Sequence, residues 1–478
     1  MQFPAVSVRA LLPALIVLGT AGLVLVLDLL PPRARKGHLP VLSLAGIVLA
    51  LLSTTWLWGE ETRAFHGMIV LDGYALFLQL VICYAAGLVV LLSIDYLHER
   101  GLESGEYYAL VLFATVGMLL MAAAGDLIVV FLSLELMSLS LYVLAGYFRA
   151  RLASGEAAMK YFLLGAFASA FFLYGIALVY GATGTTNLDR IGASTGRDSL
   201  LTIGFALLLV GFGFKISSVP FHMWAPDVYV GAPTSVTVLV ATGSKTAAFA
   251  ALIRVLVSAF RGGQLDSTAL LWVLAVATMT VGNVVAIAQS NLKRMLAYSS
   301  VAHVGYMLVG LTAGGALGAG AVLFYLLVYT FTTAGAFGVV LLLERAAGEG
   351  VSLADYAGLA RGHGVLALVL SLFLLSLIGI PPLGGFVGKF YLFGAAVRSG
   401  YVGLAVIGVL NSAVASYYYL RLIVYMYMRE PEAAPPPSAT SFAGGLALAV
   451  ALAGVIVLGV MPAPFIDLAQ AAVTPLLR

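Results

Sequence analysis

Four charged side chains stand where a lipid-spanning chain should carry none. Glu135 lies inside Ile128–Gly146, "IVVFLSLELMSLSLYVLAG". It is nine residues past Asp126, which at about 1.5 Å per helical residue puts it roughly 13–14 Å deep. That is near the middle of an apolar layer about 30 Å thick. Ser138 and Tyr142 follow at i+3 and i+7 and share its helix face. The chain has six lysines, and Lys36, Lys160 and Lys293 lie in or beside loops. Lys215, Lys245 and Lys389 lie in apolar runs, where a charge costs about 2.5–3.5 kcal/mol on insertion scales. Such residues need a partner, a wet cavity or a function.

Glu135 and Lys215 have the chemistry of a proton switch. Held together in low dielectric, a Glu–Lys pair stays charged; separation pushes both groups toward neutrality. Lysine can give up its proton, whereas arginine does not. Lys245 stands among Thr242, Ser244 and Thr246, whose small hydroxyls leave room for water. Lys389 follows the glycine-rich "GIPPLGGFVGK". His303, in "AYSSVAHVGY", has an unperturbed pKa near 6.5 and could relay protons; it could equally be a neutral, hydrogen-bonded core histidine. His222, in "PFHMW", reads as holding an unwound segment. A structural reading also stands for the lysines, which can snorkel toward the interface when near helix ends. His38, His66, His98 and His363 have no metal-ligand spacing. The "YYYLR" run at 417–421 reads as an aromatic interface belt with a snorkelling Arg421.

The elements that must position these groups are helices in lipid. Hydrophobic residues make up 62% of the 478 and charged residues 9%, against about 25% charged in an average soluble domain. That excludes a soluble globule. Spanning runs fall near 10–30, 39–58, 75–94, 107–124, 127–147, 158–181, 200–218, 234–259, 269–290, 295–315, 319–343, 364–395, 402–428 and 440–461. They predict an all-α polytopic membrane protein of about 14 helices. The first run is too long for a signal-peptide core, and the runs lack the alternation of a β-barrel. Helix 7 runs into "KISSVP" and helix 12 contains "GIPPLGG", so both are predicted to be broken. Proline frees a backbone carbonyl, which in lipid is tolerated only beside protein or water. Broken helices at matching places of two halves mark an inverted-repeat transporter. The expected organisation is residues 1–100 as helices 1–3, 105–260 as a first five-helix repeat (helices 4–8), 265–430 as a second, inverted repeat (helices 9–13), and 431–478 as a linker and helix 14.

Charge bias sets orientation. Arg33, Arg35, Lys36, Arg149, Arg151, Lys160, Lys293, Arg294, Arg345 and Arg361 fall in or beside odd-numbered loops. Arg63, Arg190, Arg197, Arg254, Arg261 and Arg398 fall in the alternate ones. Odd loops are therefore expected in the cytoplasm and both termini outside. The net charge of +3 gives no reason to expect nucleic acid. The chain lacks the nucleotide-binding glycine motifs. Its one cysteine, Cys83, cannot hold an iron–sulfur cluster, which takes about four ligands. No nucleotide or redox centre is expected on the chain itself.

Several long motifs, in order, resemble a known family. They are "SLELMSLSLYVLAGY" (133–147), "EAAMKYFLLGAFASAFFLYGIALVYG" (156–181), "GFKISSVPFHMWAPDVYVGAPTSV" (213–236), "NLKRMLAYSSVAHVGY" (291–306) and "GIPPLGGFVGKFYLF" (379–393). The chain is similar over almost its whole length to the antiporter-like membrane subunits of bacterial respiratory complex I, the proton-pumping NADH:quinone oxidoreductase, and most of all to the subunit N type. The resemblance implies two inverted five-helix repeats with broken helices 7 and 12. It implies one proton path, with Glu135 and Lys215 as the switching pair, Lys245 linking the half-channels and Lys389 on the exit side. A sister subunit has glutamate at that last position, so lysine favours the N type. The family's largest member ends in a long lateral helix, which this chain is expected to lack. Flavin (FMN), iron–sulfur clusters and quinone would sit in partner subunits, and sister antiporter-like subunits and lipid would surround the chain. Quinone reduction elsewhere would open the pair and drive its proton toward Lys245 and Lys389. The implied location is the bacterial inner membrane. Two rivals share the core: a cation/proton antiporter subunit, and a structural membrane subunit with an idle channel.

Overall fold

The computed structural model describes residues 8–29, 36–194, 199–260, 267–344, 351–430 and 442–477. Arg33, Arg35, Arg197, Arg261, Arg345 and the proline-rich linker from residue 431 lie outside the described residues. The first six helices are α1 (Val8–Leu29), α2 (His38–Trp56), α3 (Gly73–His98), α4 (Gly105–Ala122), α5 (Leu127–Ala145) and α6 (Leu152–Thr183). Next comes α7, in two pieces, α7a (Ser199–Ile216) and α7b (Trp224–Gly231). Then follow α8 (Thr234–Ala259), α9 (Thr268–Ile287), α10 (Leu292–Ala313) and α11 (Gly315–Leu343). The last are α12a (Gly364–Ile378), α12b (Gly384–Arg398), α13 (Val402–Met428), α14 (Phe442–Val460) and α15 (Ala463–Leu477). Thirteen helices among the described residues are long and apolar enough to cross a membrane, and the two-piece α12 completes the expected fourteen.

Local chemistry starts and stops these helices. Asp72, Ser104, Asp126 and Asn291 cap α3, α4, α5 and α10 by accepting from backbone N–H groups of the first turn. The two expected breaks occur where proline and glycine stand. At 217–223 the freed carbonyl of Phe214 accepts from Trp224 Nε1 at 2.9 Å, and Val219 N donates to Thr278 Oγ1 of α9 at 3.1 Å. At 379–383 the chain turns through Gly379, at φ +96°, a conformation that side chains with a Cβ rarely adopt. Gly385 then lets α12b press on the Ser376 carbonyl, where a Cβ would collide.

Burial grades from the centre outward. α8 is buried along its whole length and α10 and α11 nearly so, while α1, α6 and α14 leave most of their surface outside. Three features depart from the sequence reading. Helix 8 is not a uniform α-helix: π turns at Val240–Ser244 and Val255–Ala259 bracket the segment Lys245–Arg254. Residues 62–71 form an antiparallel hairpin, β1 (Thr62–Ala64) with β2 (Ile69–Leu71). Helix α15 follows α14, where no further element was expected.

Buried ion pairs tie the two ends of the bundle. At one end Glu344, just past α11, meets Arg151 at 3.5 Å and Lys293 at 3.9 Å. It also accepts from Tyr96 at 3.2 Å and from Thr234 at the start of α8. At the other end Arg254 of α8 pairs with Asp72 at the start of α3. These ends are called the Glu344 face and the Asp72 face below. Arg254 is a buried clamp, where the sequence reading counts it among loop cations. Lys293, read as lying in or beside a loop, is likewise buried.

Burial pushes the Glu344 carboxyl up, but Lys293, the Thr234 hydroxyl, Arg100 and Arg151 outweigh it and hold the group below its ordinary 4.5. A depressed folded value contributes stability that is complete above the ordinary value and lost as pH falls through the folded one. Glu344→Gln leaves buried cations without their counter-charge and should cost about 3–5 kcal/mol at neutral pH. The check is the thermal midpoint, followed by exposure of the buried Cys83 thiol. Wild type should converge on the variant in acid, and equal midpoints at pH 7 would rule the clamp out.

Candidate functional site

Three lysines and one histidine singled out from the sequence fall along a buried seam through the bundle. Lys215, Lys245, His303 and Lys389 are 2%, 0%, 2% and 5% exposed. The snorkelling alternative is thereby excluded for the lysines, because each ammonium ends inside the protein.

Glu135 and Lys215 do not form the expected contact. No ion pair within 4 Å joins them among the described residues. Glu135 Oε1 instead accepts from Ser169 of α6 at 2.5 Å. Lys215 Nζ carries no hydrogen bond among the described residues. It rests over the rings of Tyr161 at 5.0 Å and Tyr142 at 5.3 Å. The local reason is that α6 intervenes: its Tyr161 and Ser169 come between α5 and α7a. Tyr142, one turn pair beyond Glu135 on its face, lines the same space, its hydroxyl beside Ser138 and that of Tyr161 beside Ser244. Such a pocket has polar groups enough to order water.

From Lys215 the seam continues through aromatic rings. Trp224 of α7b stacks on Tyr161 at 4.4 Å and meets Tyr229 edge-on at 6.3 Å. Lys245 Nζ lies 5.9 Å from the Tyr229 ring and donates to the hydroxyl and carbonyl of Ser300. Ser300 also receives Tyr329 at 2.7 Å and faces Tyr229 at 3.3 Å. Three residues along α10, His303 stands between two phenols, Nδ1 to Tyr325 at 2.6 Å and Nε2 to Tyr419 at 3.2 Å. Tyr419 bonds Ser299, and its neighbour Tyr418 donates to Asn283 at 3.0 Å. Asn283 donates to Tyr306 at 3.0 Å. Lys389 Nζ lies 4.5 Å over the Tyr306 ring and donates to Ser412 at 3.2 Å and to the Ile378 carbonyl at 3.0 Å. That carbonyl ends α12a, where the helix dipole favours a cation.

Neither Lys245 nor Lys389 has a carboxylate within 4 Å among the described residues; both are held by neutral oxygens. Hydroxyls donate and accept at once, and a histidine between two hydroxyls takes a proton at one nitrogen while releasing one at the other. Hydroxyls and a histidine of this kind thus surround Lys245 and Lys389, while only aromatic rings lie between Lys215 and Lys245. His222 sits in the α7 break, half-buried, with Nδ1 unbonded among the described residues, outside this chain of contacts. Tyr418 and Tyr419 are fully buried and belong to the seam, so the interface-belt reading is wrong for them; Tyr417 alone faces outward. Arg421 does not snorkel but donates to the carbonyls of Ile287, at the end of α9, and of Gln289 just past it. Sequence reasoning also missed Ser299, Ser300, Asn283 and the phenols. Their only signal was polar residues in otherwise apolar runs.

Comparisons with known proteins give the family. Residues 124–415 match the family described as "NADH:quinone oxidoreductase/Mrp antiporter, TM". The chain is 48% identical, over 98% of both sequences, to NADH-quinone oxidoreductase subunit N of Trichlorobacter lovleyi. It is 38% identical to a chain of respiratory complex I from Thermus thermophilus, covering 96% of this chain and 99% of that one with a TM-score of 0.82. A chain of the Mrp complex from Dietzia sp. superposes with a TM-score of 0.88 over 98% of each, at 22% identity, a likeness of fold alone. Broken helices and a lysine-bearing polar core define an antiporter-type membrane subunit. Within that class, the chain belongs to the NADH-quinone oxidoreductase subunit N family.

Ser300 joins Lys245 to two phenols, and a hydrogen bond to a charged group is worth about 1.5–3 kcal/mol. Ser300→Ala should slow proton transfer through the assembled protein about tenfold or more, with Ser300→Thr close to wild type. The measurement is the response of a pH dye trapped in vesicles. An unchanged rate would remove Ser300 from the path.

Proposed function

We propose that this chain is a proton-translocating membrane subunit of NADH:quinone oxidoreductase, moving protons along Glu135, Lys215, Lys245, His303 and Lys389. Family membership supports the complex and the class of activity. The observation that carries the route is the buried seam of lysines, hydroxyls and one histidine, in which Lys245 and Lys389 are held without carboxylates. Lys215 is the switch, Lys245 the link between half-paths and Lys389 the exit group. Quinone reduction in partner subunits, which hold the FMN, iron–sulfur clusters and quinone, biases the Glu135–Lys215 separation. The apart arrangement of that pair fits one state of such a switch.

The helices α4–α8 and α9–α13 are read as two inverted five-helix repeats, supported by a break in the fourth helix of each. The location is the bacterial inner membrane, with the Glu344 face cytoplasmic, the Asp72 face outside and both termini outside. The partners are the other membrane-arm subunits, sister antiporter-like chains among them.

The test is to purify the complex through a tag on this chain and follow flavin and iron–sulfur absorbance, NADH-dependent quinone reduction and acidification of reconstituted vesicles. Redox centres should co-purify, and Lys215→Ala should leave assembly intact while cutting pumping about tenfold or more. Purification with hydrophobic subunits alone would favour the cation/proton antiporter, and unchanged pumping in Lys215→Ala would remove the assigned switch and favour an idle channel.

A further inference from the structure

Helix α8 meets the Asp72 face at a buried ion pair that the proton route does not use. Arg254 donates from both terminal nitrogens to the two oxygens of Asp72, at 2.8 and 2.9 Å, and the side chains are 5% and 7% exposed. Asp72 is fixed in turn by the Ala75 N–H at 2.7 Å. Beyond the pair opens a hollow of about 440 Å³ lined by Glu61, Arg63, Asp72, Asp189, Arg254 and Ser258, among others. Arg63 pairs there with Asp189 and Arg254 with Asp72, which leaves Glu61 as the further carboxylate of the lining.

On the inner side of the pair, α8 runs back nine residues to Lys245, about 13–14 Å at helical rise. Thr246, Ala250 and Arg254 recur every four residues and share one face of α8. That face packs on α3, where the Tyr74 hydroxyl donates to the Ala250 carbonyl at 2.8 Å. Gln79 lies further along α3 and donates to the Leu119 carbonyl of α4 at 3.2 Å. Thr246 Oγ1, Gln79 Oε1 and Arg254 Nε are all buried without hydrogen bonds among the described residues. Thr246 is 1% and Gln79 2% exposed. The π turns bracketing Lys245–Arg254 are of the kind that recurs at functional sites. Unpaired polar atoms of Thr246 and Gln79 thus lie between Lys245 and the hollow, and the Arg254 guanidinium stands at the hollow's edge.

A guanidinium does not deprotonate, so it blocks rather than relays. A fixed positive charge in a narrow polar pore raises the energy of any entering cation, as in water channels that exclude protons. We propose that the Asp72–Arg254 pair is an electrostatic seal that stops protons in the outer hollow from returning to Lys245 along the α3–α8 seam. Arg254 supplies the barrier, and Asp72 holds it across the seam. The inference rests on the reading that Lys245 carries protons and that the Asp72 face is the side of release.

The experiment is passive proton leak through the whole complex in liposomes, after an imposed pH jump and without NADH. Asp72→Asn/Arg254→Gln removes both charges while keeping polar side chains at both positions, and leaves no unpaired ion to unfold the site. The pH difference should then collapse about tenfold faster or more than in wild type. Asp72→Asn alone keeps the cation and should hold the wild-type rate. Thr246→Val added to the double variant should close the leak again. Asp72→Asn/Arg254→Met is the alternative if that double variant does not assemble, with the same expectation. The seal is overturned if the charge-removing variant does not leak. It is also overturned if Asp72→Asn leaks equally, which marks a merely structural pair. Lost NADH-driven pumping without added leak would put the pair on the route instead. A wild-type complex that fails to acidify with NADH would defeat the subunit reading and leave this leak comparison intact.

Discussion

A backbone or side chain in hydrocarbon has no water to satisfy it, and this constraint governs the whole chain. Departures from plain apolar helix therefore find protein partners for their polar groups, even where the breaks leave Met223 and Ile380 exposed. The two breaks, at 217–223 and 379–383, have their freed groups taken up by Trp224, Thr278 and Lys389. The polar side chains gather inward for the same reason, and the buried helices α8, α10 and α11 carry much of the seam.

Helix α8 shows how rigidity and polarity are combined. A carboxylate clamps each end, Glu344 at Thr234 and Asp72 at Arg254. Lys245 lies between them with no counter-charge within 4 Å among the described residues. The clamps put full charges in pairs at the ends, where removing a partner is costly. The middle keeps a lysine bonded only to neutral oxygens of Ser300. The Asp72 clamp is made with arginine, which keeps its proton, whereas the middle of the helix carries lysine, which can give its proton up.

Much of the site was legible in the residues. Glu135 in the middle of an apolar helix, and three lysines in apolar runs, violate the composition of a lipid-facing segment so strongly that cost alone marks them as candidates. Prolines and glycines likewise fixed where α7 and α12 break, since both effects act within a few residues. The seam's hydroxyls were not legible. A tyrosine in an apolar run serves equally at an interface or in a core, and Tyr417, Tyr418 and Tyr419 read alike although only the last two are buried.

The sequence by itself determined the spanning helices, their breaks and the identity of the ionisable groups. These are local consequences of helix length, proline geometry and the cost of charge in hydrocarbon. Only the tertiary structure decided that Glu135 faces Ser169 and not Lys215, that Arg254 is a buried clamp and no loop cation, and that π turns bracket Lys245. Which side chains meet depends on how helices far apart in sequence rotate and pack against one another. Periodicity fixes a face within one helix but not the neighbour that the face meets.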